Sequence, residues 1–317
     1  MNRTIITGPT GAIGMALIEY LSEKNIQVIA VVRGDSKRKD QIKESDNVVK
    51  VECALSEMTE LPQRVRCAVG LKGWDKTQPI DAFYHLAWDG TFGDSRNDMY
   101  LQNKNVRYAL DAVDVAAELG CKVFIGAGSQ AEYGRYEGKL NADVPTFPEN
   151  GYGIAKLCAG QMTRIRCAQK NIKHIWTRIL SIYGPYDTNK TMVMSMIGKM
   201  IKGERASCTK GEQKWDYLYS KDAAKMMYLL GSCGLDGKIY CLGSGEARPL
   251  KQYINIIRNE INPSAEIGFG DVPYASKQVM HLCADINELA KDTGWMPDYL
   301  FEEGIKETIE WYRNNMR

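Results

Sequence analysis

The chain has 317 residues, of which 44% are apolar and 25% are charged, and its 41 Lys and Arg nearly balance its 39 Asp and Glu. This composition is typical of a soluble globular protein and excludes a disordered or fibrous chain. The formal net charge of +2 gives no electrostatic reason to expect nucleic acid or an anionic membrane as a partner.

The sequence indicates no membrane segment, disulfide framework or metal site. No apolar run approaches the ~18 residues that a membrane span needs, and the first residues lead directly into an apparent strand without the apolar region of a signal peptide. We therefore expect a cytoplasmic protein. The nine cysteines are odd in number and scattered, and the three histidines share no ligand spacing, so we predict neither structural disulfides nor a bound metal.

The N-terminal half alternates strands with helices. Residues 4–7 form a short apolar strand, and the apolar positions after it recur at helical spacing: Ile13, Ala16, Leu17, Tyr20 and Leu21. Further strands are predicted at 27–32, 48–51, 82–86 and 122–126, and helices at 99–119 and 152–169. The alternation predicts an α/β fold with a parallel sheet and right-handed crossovers.

After a strand at 174–182 the alternation loosens, and turns and short helices indicate a second lobe. A helix at 222–230 and a strand at 238–242 are expected to return to the sheet, so the lobe is interleaved with the first domain. The predicted division is a first domain formed by residues 1–182 with 216–245 and a smaller lobe formed mainly by residues 183–215 with 246–317.

Three glycines separate the first strand from the first helix, in the segment Thr7-Gly8-Pro9-Thr10-Gly11-Ala12-Ile13-Gly14. The missing Cβ atoms allow a tight turn and the close approach of a pyrophosphate to the free N–H groups of the helix N-terminus. The pattern predicts dinucleotide binding, and its G-x-x-G-x-x-G spacing resembles that of the short-chain dehydrogenase/reductase superfamily. The alternative is a glycine-rich turn that serves packing.

The end of the second strand indicates which dinucleotide binds. NAD enzymes usually place a carboxylate here for the ribose 2′-hydroxyl, whereas this chain has Arg33. A guanidinium suits a 2′-phosphate, so we predict NADP (NADPH) as the cofactor in preference to NAD. The alternative is that Arg33, Lys37 and Arg38 belong to a solvated loop.

A tyrosine and a lysine one helical turn apart provide a proton donor and a charge that tunes it. Tyr152 and Lys156 lie on one face of a predicted helix. A phenol has a pKa near ~10 and needs an adjacent positive charge to exchange protons near neutral pH. Ser129 follows the fifth strand at the carboxyl edge of the sheet, where it can hydrogen-bond a reacting oxygen. These three are the candidate catalytic residues.

Together with motifs further along the chain, these features resemble the extended short-chain dehydrogenases, the nucleotide-sugar epimerase/dehydratase/reductase family. The further motifs are His85-Leu86-Ala87-Trp88, Tyr183-Gly184-Pro185, residues 215–222 and Leu242-Gly243-Ser244-Gly245. The resemblance implies an NAD(P)-dependent oxidoreductase with a Rossmann-type, doubly wound parallel sheet, in which the first domain binds the cofactor and the smaller lobe binds the substrate. It also implies that Tyr152 is the general acid/base, that Lys156 binds the nicotinamide ribose and that Ser129 orients the substrate oxygen.

The resemblance further implies the binding residues and partners. Cofactor contacts are expected from Gly8, Thr10, Gly11, Ala12, Ile13, Gly14, Arg33, Leu55, Leu86, Ala87, Trp88, Tyr152 and Lys156. Contacts to a nucleotide-sugar substrate are expected from Trp88, Ser129, Gln130, Glu132, Tyr183, Trp215 and Arg248. In many relatives the helices at 99–119 and 152–169 form a dimer interface, so a homodimer is expected.

Three positions distinguish between the reactions of the family. Its 4,6-dehydratases have Asp and Glu after the catalytic Ser or Thr, whereas this chain has Gln130 and Ala131, which cannot exchange protons near neutral pH. Its 4-epimerases recycle bound NAD and typically carry an acid where this chain has Arg33. We therefore predict NADPH-dependent reduction of the 4-keto group of a nucleotide-linked 6-deoxyhexose. The alternatives are a nucleotide-sugar 4-epimerase, a reductase of small non-sugar carbonyls and a non-catalytic NADP-sensing regulator.

Overall fold

The structure is a computed structural model that describes residues 1–315, in which strands and helices alternate as far as α4. The strands are β1 (Arg3–Thr7), β2 (Gln27–Val32), β3 (Val48–Glu52), β4 (Ala82–His85), β5 (Val123–Ser129), β6 (Lys173–Ile179), β7 (Ser181–Tyr183), β8 (Ala206–Cys208), β9 (Lys214–Trp215), β10 (Tyr217–Tyr219), β11 (Ile239–Leu242), β12 (Arg248–Pro249) and β13 (Ile267–Phe269). The α-helices are α1 (Ala12–Glu23), α2 (Leu61–Leu71), α3 (Met99–Glu118), α4 (Gly151–Gln169), α5 (Met192–Ile201), α6 (Ser220–Cys233), α7 (Leu250–Ile261), α8 (Asn287–Thr293) and α9 (Phe301–Asn315).

Seven strands form one parallel sheet in the order β11-β6-β5-β4-β1-β2-β3. From β1 the chain first winds outward to β3 and then crosses back to β4, so the winding direction changes between β1 and β4. In open parallel sheets, ligands bind outside the carboxyl ends of the strands at this point. The predicted α/β, Rossmann-type fold is confirmed.

The strands are apolar on both faces because helices cover both sides of the sheet. Ile6 and Ala30 belong to the core against α1 and α6, while their neighbours Ile5 and Ile29 belong to the core against α2 and α3. Successive side chains of a strand point to opposite faces, so a continuous apolar run serves both cores. This explains why β2 contains an uninterrupted apolar run, Val28–Val32, instead of an alternation of apolar and polar residues.

A smaller apolar core lies among α5, α7 and α9, where Met196, Ile254 and Ile305 are buried. The strand predicted at 174–182 is divided in the structure, since β6 ends at Ile179 and β7 pairs with β10 instead of continuing in the large sheet. α6 packs against α1, and β11 pairs in parallel with β6 at the sheet edge. No helix within residues 1–315 is both long and apolar enough to span a membrane.

Candidate active site

Two adjoining pockets lie at the carboxyl ends of the central strands. The first, the turn pocket, has a volume of about 280 Å³ and is lined by residues that include Gly8, Thr10, Arg33, Leu55 and Ala87. The second, the triplet pocket, also has a volume of about 280 Å³, and its lining includes Gly11, Ala12, Ile13, Gly14, Ser129, Tyr152, Lys156 and Asp187. Leu86 and Trp88 line both pockets, which are therefore neighbouring parts of one groove.

The glycine turn of this groove fits a bound pyrophosphate. Gly8 has a φ of +68°, and a Cβ there would lie 2.7 Å from the backbone nitrogen of Ala87. At Gly11, in contrast, no described heavy atom lies within 4 Å of the place of a Cβ, which leaves room beside the first turn of α1. No described side chain caps this N-terminus, so its N–H groups and its dipole are available to an anion. The residues present therefore fit a nicotinamide dinucleotide.

Ser129, Tyr152 and Lys156 line the same pocket because α4 packs directly on the turn that follows β5. Ser129 is the last residue of β5, and Tyr152 lies in the first turn of α4, whose cap Asn150 accepts the Gly153 N–H at 2.9 Å. A Cβ on Gly153 would collide with the carbonyl oxygen of Ala131. The glycine after the tyrosine thus allows the close approach that brings the tyrosine to the serine.

A reciprocal capping arrangement orients Ser129. Its hydroxyl oxygen accepts the Ala131 N–H at 3.2 Å, while the Glu132 carboxylate accepts the Ser129 N–H at 2.8 Å. The same carboxylate accepts from the indole of Trp176 at 3.0 Å and from the guanidinium of Arg178 at 2.8 Å. A capping box of this kind satisfies the N–H groups at the start of a helical turn and restricts the serine side chain.

Lys156 is buried beneath the groove with its ammonium in contact with a carbonyl and an aromatic face. Its side chain donates to the carbonyl oxygen of Ala127 at 2.5 Å and lies 3.7 Å from the ring centroid of Trp88. Burial lowers the pKa of Lys156 to about 7, and the nearby carboxylate of Glu132 acts in the opposite direction. The lysine can therefore exchange a proton near neutral pH.

The phenol of Tyr152 is also enclosed. Burial raises the pKa of Tyr152, whereas the Ser129 hydroxyl and the Arg96 guanidinium lower this pKa and the Glu132 carboxylate raises it. The guanidinium carbon of Arg96 lies 4.4 Å from the centroid of the phenol ring. A buried phenol that contacts a hydroxyl and a cation has the environment of a proton donor whose anion is stabilised.

Arg33 lines the turn pocket at the end of β2, but carboxylates are close to it. Its guanidinium lies 3.4 Å from Asp89 and 3.8 Å from Asp35, and more than half of its side chain is exposed. Asp89 is held in place because Asn105 of α3 hydrogen-bonds both its backbone N–H and its carbonyl. Arg38 donates to the carbonyl of Tyr186 at 2.5 Å and does not line either pocket.

Two of the predicted substrate contacts are wrong. Glu132 is 1% exposed, and its carboxylate is engaged by Ser129, Trp176 and Arg178, so it orients the serine from within the protein. Tyr183 is 1% exposed in the core of the smaller lobe, where its hydroxyl donates to the carbonyl of Phe301 at 3.3 Å. Neither side chain can reach a ligand in the groove.

Of the other predicted substrate residues, Ser129 is buried and the remaining four are partly exposed, and three of the five lie outside the lining of the two pockets. Trp88 and Ser129 line the triplet pocket, whereas Gln130, Trp215 and Arg248 do not. The Trp215 indole donates to the Ser181 hydroxyl at 2.7 Å. Arg248 forms ion pairs with Glu246 and Glu302, which raise its pKa above the ordinary arginine value and neutralise its charge. These three contacts stay predictions.

Sequence reasoning missed the two charged residues that approach the groove from the segment after β4. Asp89 and Arg96 lie in an irregular stretch with no periodic pattern, so no signal pointed to them. The role of Glu132 was detectable, since Ser129-Gln130-Ala131-Glu132 has the S/T-x-x-E pattern of a capping box.

Comparison with known proteins identifies similar chains along the whole length. The model of the NAD dependent epimerase/dehydratase family matches residues 4–243. The ADP-L-glycero-D-manno-heptose-6-epimerase of Pseudomonas paraeruginosa is 25% identical over 97% of this chain and 98% of its own length. The dTDP-4-dehydro-6-deoxyglucose reductase of Escherichia coli is 26% identical over 98% of both chains. The structure of UDP-glucose 4-epimerase from Thermotoga maritima, solved with UDP-glucose, has a TM-score of 0.86 at 21% identity and covers 99% of this chain and 100% of that chain.

Proposed function

Because this chain belongs to the NAD dependent epimerase/dehydratase family, we propose that it reduces the 4-keto group of a nucleotide-linked 6-deoxyhexose with NADPH. Membership of the family confirms the predicted resemblance to the extended short-chain dehydrogenases and identifies the chain as an enzyme of the oxidoreductase type. The observation that carries the proposal is the grouping of Ser129, Tyr152 and Lys156 in one pocket beside the glycine turn.

In the proposed reaction each residue of this group has a defined role. The Ser129 hydroxyl binds the carbonyl oxygen of the sugar and places it beside the Tyr152 phenol, which donates the proton that completes the new hydroxyl. Lys156 provides positive charge as the phenolate forms, and it would also hold a ribose hydroxyl of a dinucleotide bound at the glycine turn. When bound, NADPH supplies the hydride that the carbonyl carbon accepts.

The residues after Ser129 favour reduction over dehydration. Elimination of water from the sugar needs a further acid and base, whereas Gln130 and Ala131 hold an amide and a methyl group. Glu132, the nearest carboxylate along the chain, is occupied by the ion pair with Arg178 and turned into the protein. Full-length similarity to a dTDP-4-dehydro-6-deoxyglucose reductase supports the same choice.

A nucleotide-sugar 4-epimerase is the second candidate, and Asp89 is the observation that favours it. Its carboxylate stands 3.4 Å from Arg33 at the turn pocket, where it is suited to accept hydrogen bonds from ribose hydroxyls and would repel a 2′-phosphate. A retained NAD that is reduced and reoxidised in each cycle is compatible with this arrangement. In both candidates the nucleotide sugar is proposed to bind between the triplet pocket and the smaller lobe.

A substrate panel distinguishes the two candidates. The purified enzyme is incubated with keto-sugar nucleotides and NADPH, and with UDP-hexoses without added cofactor, while NADPH absorbance and product configuration are followed. A reductase consumes one NADPH for each hydroxyl formed, whereas inversion at C4 without added cofactor would refute the proposal and establish the epimerase.

Tyr152→Phe is the mechanistic control in the same panel. Removing the acidic hydroxyl is expected to lower turnover by roughly two to four orders of magnitude and to leave NADPH affinity nearly unchanged, because general acid catalysis is lost and binding is not. Turnover of this variant at the rate of the wild type would refute the assignment of Tyr152 as the acid in either reaction.

A further inference from the structure

Two cations and two aromatic rings lie close together at the triplet pocket, where Trp88, Tyr152 and Lys156 belong to the lining and Arg96 contacts the ring of Tyr152. The guanidinium of Arg96 lies 4.4 Å from the centroid of the Tyr152 ring, and the rings of Tyr152 and Trp88 are nearly perpendicular, with a centroid distance of 6.2 Å and an interplanar angle of 86°. The ammonium of Lys156 lies 3.7 Å from the centroid of the Trp88 ring and 5.7 Å from that of the Tyr152 ring. The phenol thus has a cation on its ring face in addition to the lysine one turn along the helix.

The segment that carries Arg96 is attached to the start of α4. Arg96 lies in a short 3-10 helix, Gly93–Asn97, and donates to the carbonyl of Thr91 at 3.2 Å. The next residue, Asn97, accepts the N–H of Gly151 at 3.0 Å. Because Tyr152 directly follows Gly151, this hydrogen bond fixes the segment that carries Arg96 next to the start of the helix that carries the phenol.

Arg96 has no anionic partner among the ion pairs of residues 1–315, and its side chain is half-buried. Other arginines near the site differ in this respect, because Arg33 and Arg178 are paired with carboxylates. A guanidinium whose charge is not neutralised acts more strongly on a neighbouring group. The ring of Tyr152 is the group that it contacts.

We propose that Arg96 is a second cation, alongside Lys156, that stabilises the phenolate of Tyr152 and so positions the acid/base chemistry of this tyrosine. The inference rests on the proposed function, in which Tyr152 gives up its phenolic proton to the substrate oxygen. The O–H bond of the phenol breaks as the O–H bond of the product forms, which leaves a phenolate beneath the guanidinium. Arg96 acts through the tyrosine and does not itself exchange a proton.

It matters that the second cation is an arginine, because the first cation, Lys156, loses its proton near neutral pH. Four groups act on the Tyr152 phenol: Ser129 and Glu132 from the turn after β5, Lys156 from α4 and Arg96 from the segment after β4. Burial lowers the pKa of Lys156 to about 7, so its charge declines above neutrality, whereas an arginine stays charged throughout the working range. The Glu132 carboxylate is held by Arg178. Arg96 therefore still stabilises the Tyr152 phenolate when Lys156 loses its proton.

The test is a spectroscopic titration of Tyr152 in the NADP-bound enzyme. The ultraviolet phenolate signal of the Tyr152→Phe variant is subtracted from that of the protein with Tyr152 present, which removes the other tyrosines, and the subtraction is repeated in the Arg96→Gln background. Loss of the cation is expected to move the Tyr152 titration upward by roughly 0.5–1 pH unit. Arg96→Lys, which retains a charge, is expected to stay close to the wild type, and Arg66→Gln, on α2 and outside the lining of both pockets, serves as the control.

The pH dependence of turnover provides a second readout, and its expected shift has the same direction for a reductase and for an epimerase. The pH at which Tyr152 changes protonation is expected to rise in Arg96→Gln, whether the active form is the phenol of a reductase or the phenolate that starts an epimerisation. If Arg96→Gln does not fold, Arg96→Met, which keeps the apolar stem, replaces it.

The inference would be overturned if the Tyr152 titration did not move in Arg96→Gln. An equal shift in Arg96→Lys would also overturn it, because the loop rather than the charge would then be responsible. An inactive Tyr152→Phe variant together with an unmoved titration would reject the role of Arg96 alone and leave the proposed acid intact. An active Tyr152→Phe variant would reject the proposed function itself.

Discussion

At the scale of single residues, the site depends on how burial and neighbouring charges set each ionisation. Lys156 loses its charge near neutrality because it is enclosed, Tyr152 is enclosed but contacts a cation, and Arg33 remains exposed with two carboxylates in reach. The same residue types in a solvated loop would retain their ordinary properties. The first two predictions each concern a residue whose behaviour depends on its surroundings: Arg33 beside two carboxylates in the first, and the buried His85 in the second.

The first prediction concerns cofactor choice. Arg33→Ser is expected to weaken NADPH binding by roughly ten- to a hundredfold, because one charge-assisted contact to the 2′-phosphate is lost, and to leave NADH binding nearly unchanged. Asp89→Asn should strengthen NADPH binding, since the carboxylate beside Arg33 no longer repels the phosphate. Both affinities are measured by fluorescence titration. If NADH binds the wild type as tightly as NADPH, the interpretation of Arg33 is wrong.

The second prediction concerns acid stability and His85. This imidazole lies within the sheet, hydrogen-bonded to the Thr7 hydroxyl at 3.0 Å, and burial lowers its pKa to about 3. Between pH ~6.5 and 3 the unfolded chain therefore takes up a proton that the folded protein does not, so stability falls as the pH falls, by about 1.4 kcal/mol per unit.

His85→Asn removes this titration and should make the unfolding free energy less steep between pH 6.5 and 5 in urea denaturation. His281→Asn, at a half-buried position outside the large sheet, is the control and should retain the wild-type slope. Equal slopes in the wild type and His85→Asn would show that the imidazole is not held neutral by the fold.

At the scale of elements, the candidate active site is a junction between the end of β5 and the start of α4. The capping box of Ser129 and Glu132 shapes the turn after the strand, and Gly153 lets the helix contact that turn. Beneath the turn lies the ion pair of Glu132 with Arg178, whose side chains are 1% and 3% exposed. The geometry of Ser129 therefore depends on a buried charge pair outside the lining of both pockets.

The third prediction tests this pair. Glu132→Gln keeps an oxygen that can accept from Ser129 and Trp176, but it leaves Arg178 buried and uncompensated, which should lower the unfolding free energy by roughly 3–5 kcal/mol. Glu118→Gln, which breaks the exposed pair with Arg66, should cost less than about 1 kcal/mol. Urea denaturation at neutral pH compares the two. Equal costs would contradict the buried-pair argument.

At the scale of the whole molecule, α3 and α4 pack together and leave large apolar side chains in solvent. Tyr100 is 86% exposed, and Ile154 and Ile165 are each 53% exposed. Contiguous apolar surface of this kind is typical of a protein interface. It is the surface on which the expected homodimer would form.

The fourth prediction follows from that surface. Light scattering at micromolar concentration should give twice the chain mass of 35.6 kDa, and Ile165→Glu should shift the mass toward that of the monomer because a charge is costly at an apolar interface. Leu71→Glu, at a 91% exposed position on α2, should leave the mass unchanged. A wild-type mass near that of one chain would refute the dimer.

The sequence by itself determined the features that depend on local spacing. Strand and helix periodicity predicted the parallel sheet, and the glycine pattern and the Tyr152–Lys156 spacing predicted residues that the fold brings to one groove. These inferences work because β-α-β units repeat regularly and because the carboxyl ends of parallel strands meet at one edge. The positions at which this chain departs from the pattern of its family, such as Arg33 and Gln130, could likewise be recognised from the sequence.

Only the tertiary structure decided which polar side chains face the groove and which are turned inward. Glu132 and Tyr183 lie in segments next to the site, yet one pairs with Arg178 in the interior and the other packs in the smaller lobe. Arg96 and Asp89 reach the groove from an irregular segment that carries no periodic signal. The direction of a side chain outside regular elements depends on contacts between residues distant in sequence, which spacing alone cannot specify.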